Sequence, residues 1–562
     1  MQTRQVMTPF WLVGWALSLS LGWLLPNHYR PWTTFHMDAW TAAVMLLASA
    51  AVTLRSVRPA QWHGPALFAV ALVIVPMLQY AFGLITLSGT AWISTAYLIG
   101  FLLVQLTGVQ WESTSPSQLP DGLFLAIGAA SLVSVGLQLH QWFELDLLDV
   151  WAIGNTAGRP FANLGQPNEL GTLLLWGLIA TAWGLVRHRI GGGTAMFTAI
   201  YLLFGLALTQ SRTAWLAVIL LVGASWVWRR LWPDQRWTWL VTGLGLYFGV
   251  CVASVGWLGR VFLFSSSTEA ADIVRLAGEL RPMLWSMFIE AAWQQPFFGY
   301  GWNQVELAQL AVAPDYPALH LAAAHSHNLI LDLVLWCGVP AGLFIAIYMI
   351  LWLWRCLRAV RSAEDALLVL LLLVICNHAM LELPLHHAYF LLPVGLVMGA
   401  LNFRLNLTPI FALGRWSLML VCVFSATLLA AIIRDYSRVE TSYLALRFEW
   451  AHVKTEARGA PPDVLLLNQL GEFIRFARFE PLPGMSADDL DWMRKVAGTY
   501  PNTGSINKLA TALALNQHPD EAQLWLRRMC KIAPEAECAA VKTVWSHKAQ
   551  RNPDIAKVSW PN

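Results

Sequence analysis

The stretch His325–Arg358, HSHNLILDLVLWCGVPAGLFIAIYMILWLWRCLR, decides the class of this chain. From Asn328 to Trp354 its one charged side chain is Asp332, and Arg355 and Arg358 follow directly. An apolar run of about 20 residues or more is long enough to cross a hydrocarbon core, and arginines at its end mark a cytoplasmic flank. The other end is unusual, because two histidines and an asparagine stand at its lip. Polar residues there either anchor a helix at the interface or do chemistry. The rest of the chain decides between the two.

Comparable runs recur along the 562 residues, of which 57% are hydrophobic and 12% charged. A soluble chain carries about 25% charged residues, so the composition reads as an all-α polytopic membrane protein. Thirteen spans are expected, at 9–26, 38–54, 65–85, 89–109, 121–140, 168–186, 193–209, 212–228, 237–258, 328–354, 365–381, 388–402 and 416–433. The first is read as an uncleaved span, since no small-residue cleavage site follows it. With the N-terminus inside, one set of loops holds thirteen arginines (4, 55, 58, 187, 189, 229, 230, 236, 355, 358, 361, 404 and 415). The opposite set holds six (30, 159, 212, 260, 275 and 281), although its loops are longer. That bias makes the first set cytoplasmic, and an odd number of spans puts the C-terminus outside.

Residues 1–434 then form the transmembrane domain, with two long outer loops at about 140–168 and 259–328. The second is too long to be a mere connection. Residues 435–562 read as an outer α-helical domain. Within it NKLATALALNQHPDEAQLWLRRMCKIAP suggests one helix pair of the tetratricopeptide type, which by itself establishes no array. Cys530 and Cys538 stand eight residues apart there; a disulfide or two free thiols both fit the sequence. The five cysteines of the apolar segments read as buried small hydrophobes.

Five segments place polar side chains on the arginine-poor face: GNTAGRPFANLGQPNELG (154–171), LTQSRTAW (208–215), the loop with Arg275 and Arg281, the lip with His325 and His327, and LELPLHHAYF (381–390). Each has a bland reading alone. Arg212 is a snorkelling helix end, Gln166 and Asn168 beside Pro167 a helix cap, His386 and His387 interfacial, and Arg275 and Arg281 solvated. Together they sit where the charge rule disfavours cations, and binding an anion accounts for that. Arginine forks suit phosphate or pyrophosphate, and a neutral histidine can take a proton from an incoming hydroxyl. The chemistry indicated is group transfer from a lipid pyrophosphate, by direct displacement because no covalent nucleophile stands out. No zinc spacing or nucleotide loop occurs, and neither cofactor, metal nor nucleic-acid partner is expected.

These motifs, with RPMLWSMFIEAAWQQPFFGYGWNQ (281–304) and HSHNLILDLVLWCGVPAG (325–342), resemble bacterial O-oligosaccharyltransferases, in the superfamily that also holds O-antigen ligases and polymerases. The resemblance runs from about residue 150 to 400. The helical tail resembles the C-terminal extension of the protein-glycosylating branch. It implies a metal-independent, inverting enzyme of the bacterial inner membrane, with its site and tail on the periplasmic face. The donor would be an undecaprenyl pyrophosphate-linked oligosaccharide and the acceptor Ser/Thr of an exported protein such as pilin. His327 matches the family's outer-loop histidine, Gln166 the glutamine of GQPN, Arg212 the arginine of the SR turn, and Arg281 the loop arginine. Arg159 and Arg275 are further candidates for the pyrophosphate, Asn168 and Glu382 for positioning glycan or acceptor, and His325 for the lip. The ELPL turn departs from the usual pattern. It continues His386–His387–Ala388–Tyr389, so a role ordinarily given to a tyrosine falls to Tyr389, to His387, or to neither. The alternatives are an O-antigen ligase or polymerase with a sugar acceptor and, from another class, a lipid-linked glycan transporter.

Overall fold

The computed structural model describes residues 7–148, 150–154, 159–261, 269–453 and 460–561, without the side chains of 269–280. Each of the thirteen apolar runs forms helix. They give Pro9–Ser20 (α1), Phe35–Arg55 (α2), Gly64–Ala81 (α3), Ser88–Thr114 (α4), Gln118–Trp142 (α5), Pro167–Val186 (α6), Gly192–Leu208 (α7), Arg212–Val227 (α8) and Arg236–Val261 (α9). Glu269–Gln294 (α10), Val305–Val312 (α11), Leu329–Cys337 (α12), Val339–Ala359 (α13), Ala363–Ala379 (α14), Ala388–Arg404 (α15) and Arg415–Trp450 (α16) follow. The tail adds Asn468–Arg478 (α17), Ala487–Thr499 (α18), Thr503–Leu515 (α19), Pro519–Ile532 (α20), Glu535–Arg551 (α21) and Pro553–Ala556 (α22). Eight of these helices are long and apolar enough to cross a membrane, and α7, α8 and α15 are shorter apolar helices.

The run Asn328–Trp354 is not one uninterrupted helix. It breaks between α12 and α13 at Gly338, whose φ of +82° is a backbone region open chiefly to glycine. The FFGYG turn lies against the break. A Cβ on Gly338 would lie 2.3 Å from the Phe297 carbonyl. The amide of Tyr300 donates to Leu335 O at 2.7 Å and that of Val339 to Pro296 O at 2.7 Å. Hydropathy alone cannot see such a break, because the residues on both sides are equally apolar.

The chain forms two compact units. The first comprises residues 1–72, 96–278 and 349–429. Its core runs through α1, α2, α5, α6, α14 and α15, with Trp23, Trp111, Trp176 and Phe390 fully buried. At one end Arg404 reaches Glu364 at 2.7 Å, Asp365 at 2.9 Å and Glu112 at 3.3 Å. Arg187 pairs with Glu364 and Asp121 at the same end. Three of the arginine-rich loops are thus tied by partly buried ion pairs, whose disruption leaves charges uncompensated.

The second unit comprises residues 73–95, 279–348 and 430–562. Here the long outer loop packs on the C-terminal helices. Leu310 and Ala313 join a core with Phe476, Met493, Leu509 and Leu526. Lys531 Nζ donates to Tyr316 O at 2.7 Å, and Arg527 donates to Pro314 O at 3.1 Å. The expected domain limit at 434/435 falls inside α16, which continues past its apolar run as a polar helix.

Cys530 and Cys538 are joined, with Cα atoms 5.1 Å apart. Closing so short a loop restricts the unfolded chain by about 2.5 kcal/mol. The double substitution C530S/C538S is therefore expected to lower the thermal midpoint of the tail's helix signal. Reductant should reproduce the shift in the wild type and leave the variant unchanged.

Candidate functional site

In the first unit three of the polar segments meet. Gly165 makes the turn into α6 with φ +77°, and a Cβ there would lie 3.0 Å from the His28 ring. Glycine is therefore required by both backbone and space. Gln166 follows in extended conformation as the N-cap residue, and Pro167 opens the helix with φ preset. This geometry turns two amides toward one carboxylate. Gln166 Nε2 donates to Glu382 Oε2 at 3.2 Å and Asn168 Nδ2 to Oε1 at 3.1 Å. Glu382 is only 5% exposed.

The next residue of α6, Glu169, is equally buried and holds the other side of the turn. His387 Nε2 lies 3.0 Å from Glu169 Oε1, and Tyr389 Oη donates to Oε2 at 2.7 Å. The two rings stack with centroids 5.0 Å apart and planes 8° from parallel. Asp38 fixes the backbone at the same place, accepting from the Ala388 amide at 2.6 Å and from Thr34 Oγ1 at 2.7 Å. Burial opposes protonation of His387, but the charge and hydrogen bond of Glu169 outweigh it and raise its pKa. Burial, aided by the like charge of His387, pushes its neighbour His386 down to about 3, so His386 is neutral at pH 7.

The arginines occupy adjoining turns. Arg159 donates through Nε and Nη2 to Thr209 O at 3.0 and 2.8 Å. Burial lowers its pKa to about 10, Glu382 opposes that fall and Arg212 adds to it. Arg159 is therefore within electrostatic reach of both. Arg212 is exposed and is the first residue of α8, behind the cap that Ser211 Oγ makes on the Ala214 amide at 3.2 Å. A helix N-terminus already carries positive partial charge, so a cation there is unfavourable unless an anion joins it. The entry to this helix is also strained, since Gln210 has φ +49°.

The histidine lip belongs to the second unit and is not helical. His327 sits at φ +58°, a conformation costing of order 1–3 kcal/mol for a non-glycine residue. Its neighbours hold it there. The Ser326 amide donates to Asp332 Oδ1 at 2.8 Å and Ser326 Oγ to Asn328 O at 3.0 Å. Asn328 Oδ1 caps α12 on the amides of Ile330 and Leu331. Trp285 Nε1 donates to Ser326 O at 2.9 Å, fixing the lip to α10. The rings of His325 and His327 lie 4.2 Å apart at 56°, an approach that the irregular backbone permits and a helix would not. Arg281 precedes Trp285 by four residues on α10, so the two share a helix face. The Arg275 side chain lies outside the described residues.

The structure thus joins Arg159, Gln166, Asn168, Arg212 and Glu382 electrostatically or by hydrogen bonds. The rings of His325 and His327 lie against each other. His387 and Tyr389 are instead bound to Glu169, and Tyr389 is wholly buried. Sequence reading gave no role to three acids, Asp38, Glu169 and Asp332. Each stands near the lip of an apolar run, where an acid is costly without partners, and that cost is the signal that marks them.

Comparisons with known proteins show what the chain is similar to. Residues 160–183 match a family described as protein glycosylation ligase, 197–346 one described as O-antigen ligase, and 366–548 one described as virulence factor membrane-bound polymerase, C-terminal. The chain is 29% identical over 531 residues, 90% of each protein, to a general O-oligosaccharyltransferase of Acinetobacter baylyi. It is 30% identical over 245 residues, 44% of each, to a ComP-specific O-oligosaccharyltransferase of the same organism. The chain is accordingly similar to the bacterial O-oligosaccharyltransferases and, over residues 197–346, to the O-antigen ligases, and is an enzyme of the glycosyltransferase class.

Proposed function

We propose that this protein transfers an oligosaccharide from undecaprenyl pyrophosphate to serine or threonine of exported proteins such as pilin, with inversion and without a metal. The observation that carries the reading is Arg212 at the head of α8, within electrostatic reach of the half-buried Arg159. Two cations beside a helix N-terminus form a place for a pyrophosphate, which becomes the leaving group. Arg281 and Arg275 supply further positive charge. Glu382, held by Gln166 and Asn168, orients glycan or acceptor. His327 activates or orients the acceptor hydroxyl, with His325 beside it. Tyr389 and His387 act through Glu169 as positioning residues. In this reading the chain crosses the inner membrane thirteen times, with these groups, and the helical tail with its tetratricopeptide-like pair, on the periplasmic face. The disulfide supports that side, because such bonds persist in oxidising compartments.

The test is a cell that supplies a lipid-linked glycan and exports a serine-rich acceptor. Wild-type protein should add the glycan mass to the acceptor. Arg212→Ala should reduce transfer by about 10²-fold, and Arg212→Lys should restore little, since a lysine offers no fork. Full activity in Arg212→Ala would remove Arg212 from the mechanism, and full activity in Arg212→Lys would show that its charge suffices without the fork. The match to the O-antigen ligase family keeps a second reading open, and glycan on lipid A with bare acceptor protein would establish it.

Asp332→Asn tests the lip. Loss of the charged acceptor for the Ser326 amide should lower kcat several-fold with KM little changed, because His327 is misplaced and not removed. An unchanged kcat would show that Asp332 serves only the helix.

A further inference from the structure

The first unit contains an apolar cavity of about 220 Å³. Leu178, Met196, Leu203, Val222, Trp237 and Leu244 line it, and Thr181 and Ser225 are its only hydroxyls. A cavity with so few polar partners holds water poorly and takes an apolar guest. Its lining comes mainly from the later halves of α6 and α8 and the earlier halves of α7 and α9, with Leu367 and Leu370 from the start of α14. The cavity therefore lies toward the ends of these helices opposite Gln166 and Arg212. From Arg212 to Ser225 the rise along α8 is about 20 Å.

The turn between α8 and α9 borders the cavity through Trp232 and Trp237, whose rings stack with centroids 6.0 Å apart. The same turn carries Arg229 and Arg230, and Arg236 opens α9 beside them, all three exposed. Arg236 pairs with Asp234. Arg229 and Arg230 form no ion pair among the described residues, unlike Arg187, Arg189 and Arg404 at the same end. An apolar slot beside two uncompensated arginines and an aromatic pair matches the two halves of one molecule, an acyl chain and a phosphate.

We propose that this cavity binds an anionic phospholipid, one acyl chain lying between α7, α8 and α9 and the phosphate resting on Arg229 and Arg230. The polyprenyl donor is the poorer occupant, because the place proposed for its pyrophosphate is at the other end of α8. A zwitterionic lipid is also poorer, because its own ammonium cancels the attraction of the arginine pair. The site stands independently of the transfer chemistry.

Native mass spectrometry of the full detergent-purified chain tests it, with phosphatidylglycerol and phosphatidylcholine added at equal concentration. The wild type should retain phosphatidylglycerol at least tenfold better. R229A/R230A, a change confined to the surface, should abolish that preference. Ala199→Phe, which fills the cavity, should reduce retention of either lipid at least tenfold. If that variant does not reach the membrane, Val222→Phe occludes the same space. Equal retention of the two lipids, retention unaffected by filling, or wild-type protein that keeps a polyprenyl phosphate in place of phosphatidylglycerol would overturn the assignment.

Discussion

Replacing His327 with alanine should lower glycan transfer by about 10²–10⁴-fold, the range expected when a positioned acid–base group is lost. Membrane levels of the protein should stay near wild type. The side chain is only partly buried, and the bonds that hold the lip use its neighbours Ser326 and Asn328 together with Asp332 and Trp285. Alanine can follow the same path at the cost of the strained φ, so the substitution tests the imidazole itself. The measurement is acceptor glycosylation by intact mass, normalised to enzyme in the membrane. Full transfer by His327→Ala would end its assignment as the group that handles the acceptor proton. His325→Ala is the informative companion. A smaller loss there would fit a lip residue stacked beside the working one, and a larger loss would exchange the two roles.

The second large effect should be on stability, at Glu169. Its carboxylate is nearly inaccessible and serves His387 and Tyr389 at once. Glu169→Leu would leave a buried imidazole and a buried phenol without their partner, which costs about 3–5 kcal/mol when a buried pair is broken from one side. The expected result is a protein that unfolds at lower temperature and accumulates poorly. Glu169→Gln should be milder, since an amide oxygen still accepts from Tyr389. The pH dependence has a definite sign. The pKa of His387 is raised in the fold above its ordinary value of 6.5. The stability it contributes is therefore full below that value and is lost as pH rises through the raised one. Thermal midpoints of wild type and Glu169→Gln should differ most at mildly acidic pH and converge as alkalinity increases. A constant difference across that range would show that the pair contributes through packing alone.

These two sites differ in how far the sequence disclosed them. His327 was legible because polar residues at a membrane lip are expensive and because its motif resembles a family's. Glu169 was printed inside the quoted GQPNELG segment, yet nothing local distinguished it from an ordinary acid in the first turn of a helix, where the macrodipole favours one. Only the return of the chain some 220 residues later brings His387 and Tyr389 to it. The same holds for Glu382, whose two amide donors come from the far side of the α6 entry turn.

The sequence by itself determined the helices and the membrane class, because hydrophobic length is a local property and each run carries its own signal. It also marked the polar segments that stand out against the apolar runs, since a misplaced arginine or histidine is costly wherever it stands. Tertiary structure alone decided what these side chains do for one another. It made Tyr389 a buried partner of an acid, broke the His325–Arg358 run at Gly338 where the FFGYG turn presses against it, and clamped His327 in a strained backbone. Those outcomes depend on which distant segments touch, and hydropathy and spacing contain no term for that.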